Sequence, residues 1–133
     1  TPNVTDIVAI AKSVVRAGAD AISLINTLKS RAKIRRGPGE GKWIEGGLSG
    51  PAIKPIALRM VSDVAKANLG VSIIGMGGIS NIEDTLDFFE SGADAIAIGT
   101  ANFVNPNVMI EIIGGLWRYL GEKGYSNIKE LKP

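Results

Sequence analysis

A chain of 133 residues suits one domain rather than two, and 45% hydrophobic with 21% charged residues excludes wholesale disorder. The lack of cysteine and histidine excludes disulfides, thiolate or imidazole metal sites, a cysteine nucleophile and a Ser-His-Asp triad, which removes most hydrolase readings. A net charge of +2 is too small to argue for nucleic acid; no apolar run reaches membrane-span length and no signal segment opens the chain, so the default expectation is a cytoplasmic protein.

The chain opens at Thr1 without an initiator Met, and Thr1-Pro2-Asn3 reads as a loop entering a helix cap, so a preceding strand is expected outside this chain. Thr5 or Asp6 can cap a first helix, in which Ile7, Ile10, Ala11, Val14 and Val15 recur at helical spacing and Gly18 supplies the stop. Ala21-Ile22-Ser23-Leu24-Ile25 is short and apolar, as a buried parallel strand should be. Residues 28–47 show no clear periodicity and read as a long glycine-rich loop. Lys29, Arg31, Lys33, Arg35, Arg36 and Lys42 stand there against Glu40 and Glu45, a larger cationic excess than that of the whole chain. Such a run fits either a basic lid over an anionic ligand or a solvated loop.

Pro51 fits the first turn of a second helix, with Ile53, Ile56, Ala57, Met60, Val61 and Val64 as its apolar stripe. Val71-Ser72-Ile73-Ile74 is the next strand, followed by the turn Gly75-Met76-Gly77-Gly78-Ile79-Ser80. Ser80 or Asn81 then caps a helix carrying Ile82, Leu86, Phe88 and Phe89. Asp94-Ala95-Ile96-Ala97-Ile98 is a further strand, followed by Gly99-Thr100. A last helix is expected over residues 106–121, with Val108, Ile112, Ile113, Leu116 and Leu120 facing the core, and the tail from Tyr125 to Pro133 is expected to pack loosely.

Alternating helices and strands argue for parallel strands joined by right-handed crossovers. Ala17-Gly18-Ala19-Asp20-Ala21-Ile22 is echoed by Ser91-Gly92-Ala93-Asp94-Ala95-Ile96, which suggests repeated use of one βα unit, as in a barrel. In such a barrel ligands meet the loops after the strands' C-terminal ends. Gly77-Gly78 after one strand and Gly99-Thr100 after the next form a candidate phosphate cradle. Glycine lets backbone amides approach an anion, and a helix N-terminus beyond adds donors. The alternative is that these glycines only turn the chain. Asn26-Thr27 can read a planar ligand with carbonyl, N–H and carboxylate groups, or can act as a turn cap.

At these residues the sequence resembles the dihydroorotate dehydrogenase family. The resemblance lies in Thr1-Pro2-Asn3-Val4-Thr5-Asp6-Ile7, Ser23-Leu24-Ile25-Asn26-Thr27, Gly46-Gly47-Leu48-Ser49-Gly50-Pro51-Ala52-Ile53-Lys54-Pro55, Ile74-Gly75-Met76-Gly77-Gly78-Ile79 and Gly99-Thr100-Ala101-Asn102-Phe103. It is greatest to the class 1, type B branch, which uses NAD through a partner subunit. The resemblance implies an α/β fold, the C-terminal part of a (β/α)₈ TIM barrel, with residues 1–133 forming the C-terminal half and the N-terminal half outside this chain. It implies FMN as cofactor, bound by Ile25, Gly50, Gly77, Gly78, Gly99 and Thr100, and dihydroorotate or orotate bound by Asn26 and Thr27. Its implied partners are further copies in a homo-oligomer and an electron-transfer subunit with FAD and an iron–sulfur centre, linking to NAD.

The family's type B base is a cysteine in the N-terminal half, and a lysine precedes the Thr-Pro-Asn segment. This chain has no cysteine and starts at Thr1, so no catalytic residue and no metal ligand is expected in it. Asp63, Glu83, Asp87 and Lys66 are expected on outer helix faces, and Asp20 and Asp94 at the strand ends opposite the ligand. The implied activity of the complete protein is oxidation of (S)-dihydroorotate to orotate in pyrimidine biosynthesis, with this fragment inactive alone. Alternatives are a dihydropyrimidine-dehydrogenase-like flavin barrel, a non-catalytic phosphate- or FMN-binding half-barrel, and another phosphate-using barrel.

Overall fold

A computed structural model describes residues 1–132. In chain order the helices are α1 (Ile7–Arg16), α2 (Lys54–Lys66), α3 (Ile82–Glu90), α4 (Ala101–Val104) and α5 (Val108–Lys123). The strands are β1 (Ala21–Leu24), β2 (Leu28–Lys33), β3 (Trp43–Leu48), β4 (Ser72–Met76) and β5 (Ala95–Ala97). Single 3-10 turns cover Pro51–Ile53 and Ile128–Leu131.

Strands β1, β4 and β5 form one parallel sheet in the order β1-β4-β5, with Leu24 opposite Gly75 and Met76 opposite Ala97. Their C-terminal ends therefore emerge together. The Ile25 amide continues the ladder by donating to the Met76 carbonyl at 2.9 Å.

The main core packs helices on this sheet: Ile7 and Ala11 of α1, Ala57, Val61 and Val64 of α2, Ile73 of β4 and Phe88 of α3 are buried together with Leu24, Ile25 and Ile53. Burial at about 25 cal/mol per Å² of apolar surface drives this packing. The stripe read for α1 is narrower than expected. Ile10 and Val14 are 44% and 43% exposed, since only α2 and β1 pack closely on this helix.

Local signals account for the helix boundaries. Asp6 accepts a 2.9 Å bond from the Ala9 amide, and Asn81 accepts one of 2.8 Å from Asp84. The two echoed segments share their geometry. Gly18 and Gly92 have φ of 96° and 104°, and the residue after each returns its amide to the carbonyl five residues back.

Four expectations are corrected. Residues 28–47 are not a loop: β2 and β3 pair antiparallel, from Leu28 opposite Leu48 to Lys33 opposite Trp43, and the Arg31 guanidinium lies 4.5 Å from the Trp43 ring centroid. Strand β3 is exposed throughout and β2 is half-buried only at Leu28 and Ser30, so little alternation marks the ribbon. Strand β4 runs through Gly75 and Met76 rather than giving way to the turn after Ile74. A Cβ at Gly75 would fall 2.6 Å from Phe88, so glycine here seats α3 on the sheet.

The last helix begins at Val108 after the short α4, and Ile113 is 55% exposed rather than core. The tail does pack. Leu131 is buried with Phe89 and Leu120, and Lys132 reaches Asp94 at 2.7 Å; Pro133 lies outside the described residues.

Candidate functional site

The loops leaving β1, β4 and β5 converge on a cavity of about 420 Å³. All eight residues expected to hold cofactor or substrate line it: Ile25, Asn26, Thr27, Gly50, Gly77, Gly78, Gly99 and Thr100. A larger depression of about 610 Å³ lies at the opposite end of the sheet, bordered by Ser72, Asp94 and Lys132, away from these loops.

The cavity wall carries no charged side chain. What it offers an anion is backbone. Among the described residues, the amides of Gly77, Gly78 and Ile79 donate to no protein acceptor, and neither do those of Gly99 and Thr100. Gly77 and Gly78 have φ of 126° and 81°, a region other residues rarely adopt. A Cβ at Gly78 would also fall 2.8 Å from the Gly50 carbonyl oxygen and 2.9 Å from Lys54 Cβ. The Gly78 loop and the Gly50–Lys54 turn, distant in sequence, thus meet without room for another carbon. The two glycine loops are further linked through Ser49, whose Oγ accepts a 2.8 Å bond from the Thr100 hydroxyl.

Asn26 and Thr27 also border a second recess, with Thr1, Asn3, Lys29, Gly46 and Gly47. Asn3 secures this pair: its Nδ2 donates to the Thr27 carbonyl at 3.0 Å and its Oδ1 accepts from the Lys29 amide at 2.8 Å. Gly47 leaves the space that the Thr27 side chain fills. Neither residue was assigned from sequence, because each acts through a partner more than 15 positions away. Of the six basic residues in 28–47, only Lys29 reaches a recess and none lines the main cavity, so the ribbon does not close over it as a basic lid.

The carboxylates sit largely as expected. Asp94 lies at the far end of the sheet, where its Oδ2 accepts from the Ile73 amide at 2.8 Å. Burial raises its pKa, but the bonds from Lys132 and Ile73 outweigh this and hold it below the ordinary value. Asp87 is not free on an outer face, since it accepts from Lys54 at 2.6 Å. Lys54 also pairs with Asp84. Burial lowers the Lys54 pKa, yet its bonds to Asp84 and Asp87 leave it raised; burial raises that of Asp84, yet bonds from Lys54 and Ser80 leave it lowered. Among the described residues no group of three or more Asp or Glu is placed to hold a metal, and no helix is long and apolar enough to cross a membrane.

The family model for dihydroorotate dehydrogenase matches residues 1–120. The chain belongs to the dihydroorotate dehydrogenase family. It is 53% identical over 132 residues to the dihydroorotate dehydrogenase B (NAD(+)) catalytic subunit of Caldicellulosiruptor saccharolyticus, covering 98% of this chain and 44% of that protein. The proteins of the same name from Malacoplasma penetrans and Alkaliphilus metalliredigens are 52% and 51% identical, covering 99% of this chain and 43% and 44% of theirs. The chain thus spans less than half the length of these curated relatives. Family membership agrees with the parallel α/β sheet; the described residues hold three of its strands and no closed barrel.

Proposed function

We propose that this chain is the C-terminal half of a (β/α)₈ barrel in a flavin-dependent dihydroorotate dehydrogenase, supplying the FMN phosphate site and part of the substrate site. The observation that carries this is the convergence of all eight expected residues on one cavity whose glycine amides are unengaged. The fit to FMN rests on two features. The amides at Gly77, Gly78, Gly99 and Thr100 suit a phosphate, as glycine turns at strand ends do. The walls from Ile25, Ile53, Ile79 and Ile98 suit an apolar ring system.

The flavin, when bound, supplies the hydride acceptor. This chain's residues bind and orient. The glycine amides would hold the phosphate, and Ile25 and Gly50 would pack against the cofactor. The Asn26 amide and Thr27 hydroxyl hold the dihydropyrimidine's polar groups at the junction of the two recesses. No titratable side chain lines the main cavity, so the base that removes the substrate proton comes from the other half. By analogy with relatives named as NAD(+)-linked catalytic subunits, a partner subunit carrying FAD and an iron–sulfur centre would pass electrons to NAD, and the protein would work as a homo-oligomer in the cytoplasm.

The full-length protein is expected to purify with FMN, and anaerobic dihydroorotate is expected to bleach it. Asn26→Ala should retain FMN while slowing bleaching by about 10–100-fold, the effect of losing one bond to a buried polar group. A protein without FMN, or one whose flavin dihydroorotate leaves coloured, would overturn the reading.

A further inference from the structure

We propose that Asp84 is a positioning residue for the flavin phosphate, acting by holding the Gly77–Ser80 loop with its free amides turned into the cavity. The inference rests on the flavin reading above and assigns a role to Asp84, which does not line the cavity.

Asp84 is buried at the start of α3, with a relative exposure of 8%. Its Oδ2 accepts from both the Ser80 amide at 2.8 Å and the Ser80 hydroxyl at 2.7 Å. Its Oδ1 accepts from Lys54 Nζ, and its own amide is capped by Asn81. One carboxylate thus fixes the last residue of the glycine loop and ties it to α2, the helix whose first residue lies against Gly78. Ser80 is the only residue of that loop whose amide is engaged this way; those of Gly77, Gly78 and Ile79 remain for a ligand.

This fixing matters because the cavity has no cation. A phosphate held by a lysine tolerates small displacements, since a point charge acts over distance. One held by amides does not, since a hydrogen bond weakens steeply off its axis. The nearby cation, Lys54, is committed to Asp84 and Asp87. Lys54 has a second effect, because it neutralises carboxylates that would otherwise repel a phosphate bound next to their loop.

The test compares binding of FMN and of riboflavin, which lacks the phosphate, to flavin-stripped full-length protein by flavin fluorescence. Wild type is expected to prefer FMN. Asp84→Ala should weaken FMN binding at least about tenfold, roughly 1.4 kcal/mol, while riboflavin binding stays within about twofold. Ser80→Ala, which removes one bond without opening a void around a buried charge, should lower the preference several-fold and serves if Asp84→Ala fails to fold. If wild type shows no preference for FMN, the phosphate reading itself fails. If wild type shows it and the variants keep it, or lose both ligands equally, Asp84 is structural only and the proposal is overturned.

Discussion

Gly47 lies so close to Thr27 that a Cβ on the glycine would fall 2.1 Å from the threonine hydroxyl oxygen and 2.5 Å from its Cβ. The Thr27 side chain is therefore placed by a gap on β3, across the ribbon from its own strand end. Gly47→Ala in the full-length protein must displace Thr27, at an overpacking cost of about 1–3 kcal/mol. We expect kcat/KM for dihydroorotate to fall roughly 10–100-fold with flavin content nearly unchanged. Wild-type kinetics in this variant would remove Thr27 from the substrate site.

Gly78→Val should block close approach of a phosphate, because the new Cβ has no room beside Gly50 and Lys54 and the backbone there is left-handed. Flavin occupancy of the purified full-length variant, read from its visible absorbance, is expected to drop by more than about tenfold. Normal occupancy would show that the phosphate lies elsewhere.

The chain of residues 1–133 alone is not expected to oxidise dihydroorotate, even with FMN supplied. Proton abstraction beside a carbonyl needs a positioned base, and the main cavity has none. Anaerobic mixing of the purified chain, FMN and dihydroorotate, followed by flavin absorbance, checks this. Bleaching well above a protein-free control would reveal a base, and Lys29 would be the first to replace, being the one titratable side chain among those lining the neighbouring recess.

Stability should respond to pH at the acid extreme through Asp84 and Asp94 and at the basic extreme through Lys54. Asp84 and Asp94 titrate below their ordinary value of 3.8 when folded. Their contribution is present above that value and is lost as pH falls through the lower folded values. Lys54 titrates above its ordinary 10.5, so its contribution is complete below that value and is lost as pH rises through the higher folded one. Urea midpoints should be nearly flat from about pH 5 to 9 and decline outside. Asp94→Asn should lower the neutral plateau and flatten the acid limb; an acid limb identical to wild type would mean that Asp94 gains nothing from folding.

Much of the sheet was legible because β1, β4 and β5 are short, largely apolar runs, the last two with glycine on either side, and because Asp6 and Asn81 announce their helices. Six of the eight cavity-lining residues, Asn26, Thr27, Gly77, Gly78, Gly99 and Thr100, stood out as polar or glycine positions after strands, whereas Ile25 and Gly50 were named by the family resemblance alone. The β2–β3 ribbon was hidden for a physical reason: beyond Leu28 and Ser30 it is exposed and needs no alternation, and Arg31 on Trp43 leaves no periodic trace. Helix α4 has only four residues, too few for a stripe. Asp84 did leave a signal, an acidic residue three places after the cap Asn81, but sequence shows only a capping pattern there and not the reach to Ser80 and Lys54.

The ribbon leaves the cavity at Thr27 and returns to it at Ser49, so both its ends border the proposed site while its tip is exposed on this chain. Six residues of extended strand carry that tip about 20 Å away. Tolerance to substitution should therefore be graded along its length. At Gly47 a single methyl group reaches Thr27, whereas an affinity tag, a fluorophore or an inserted peptide between Arg36 and Gly41 would sit away from the proposed site. The tip is thus the natural place to attach a reporter to this protein.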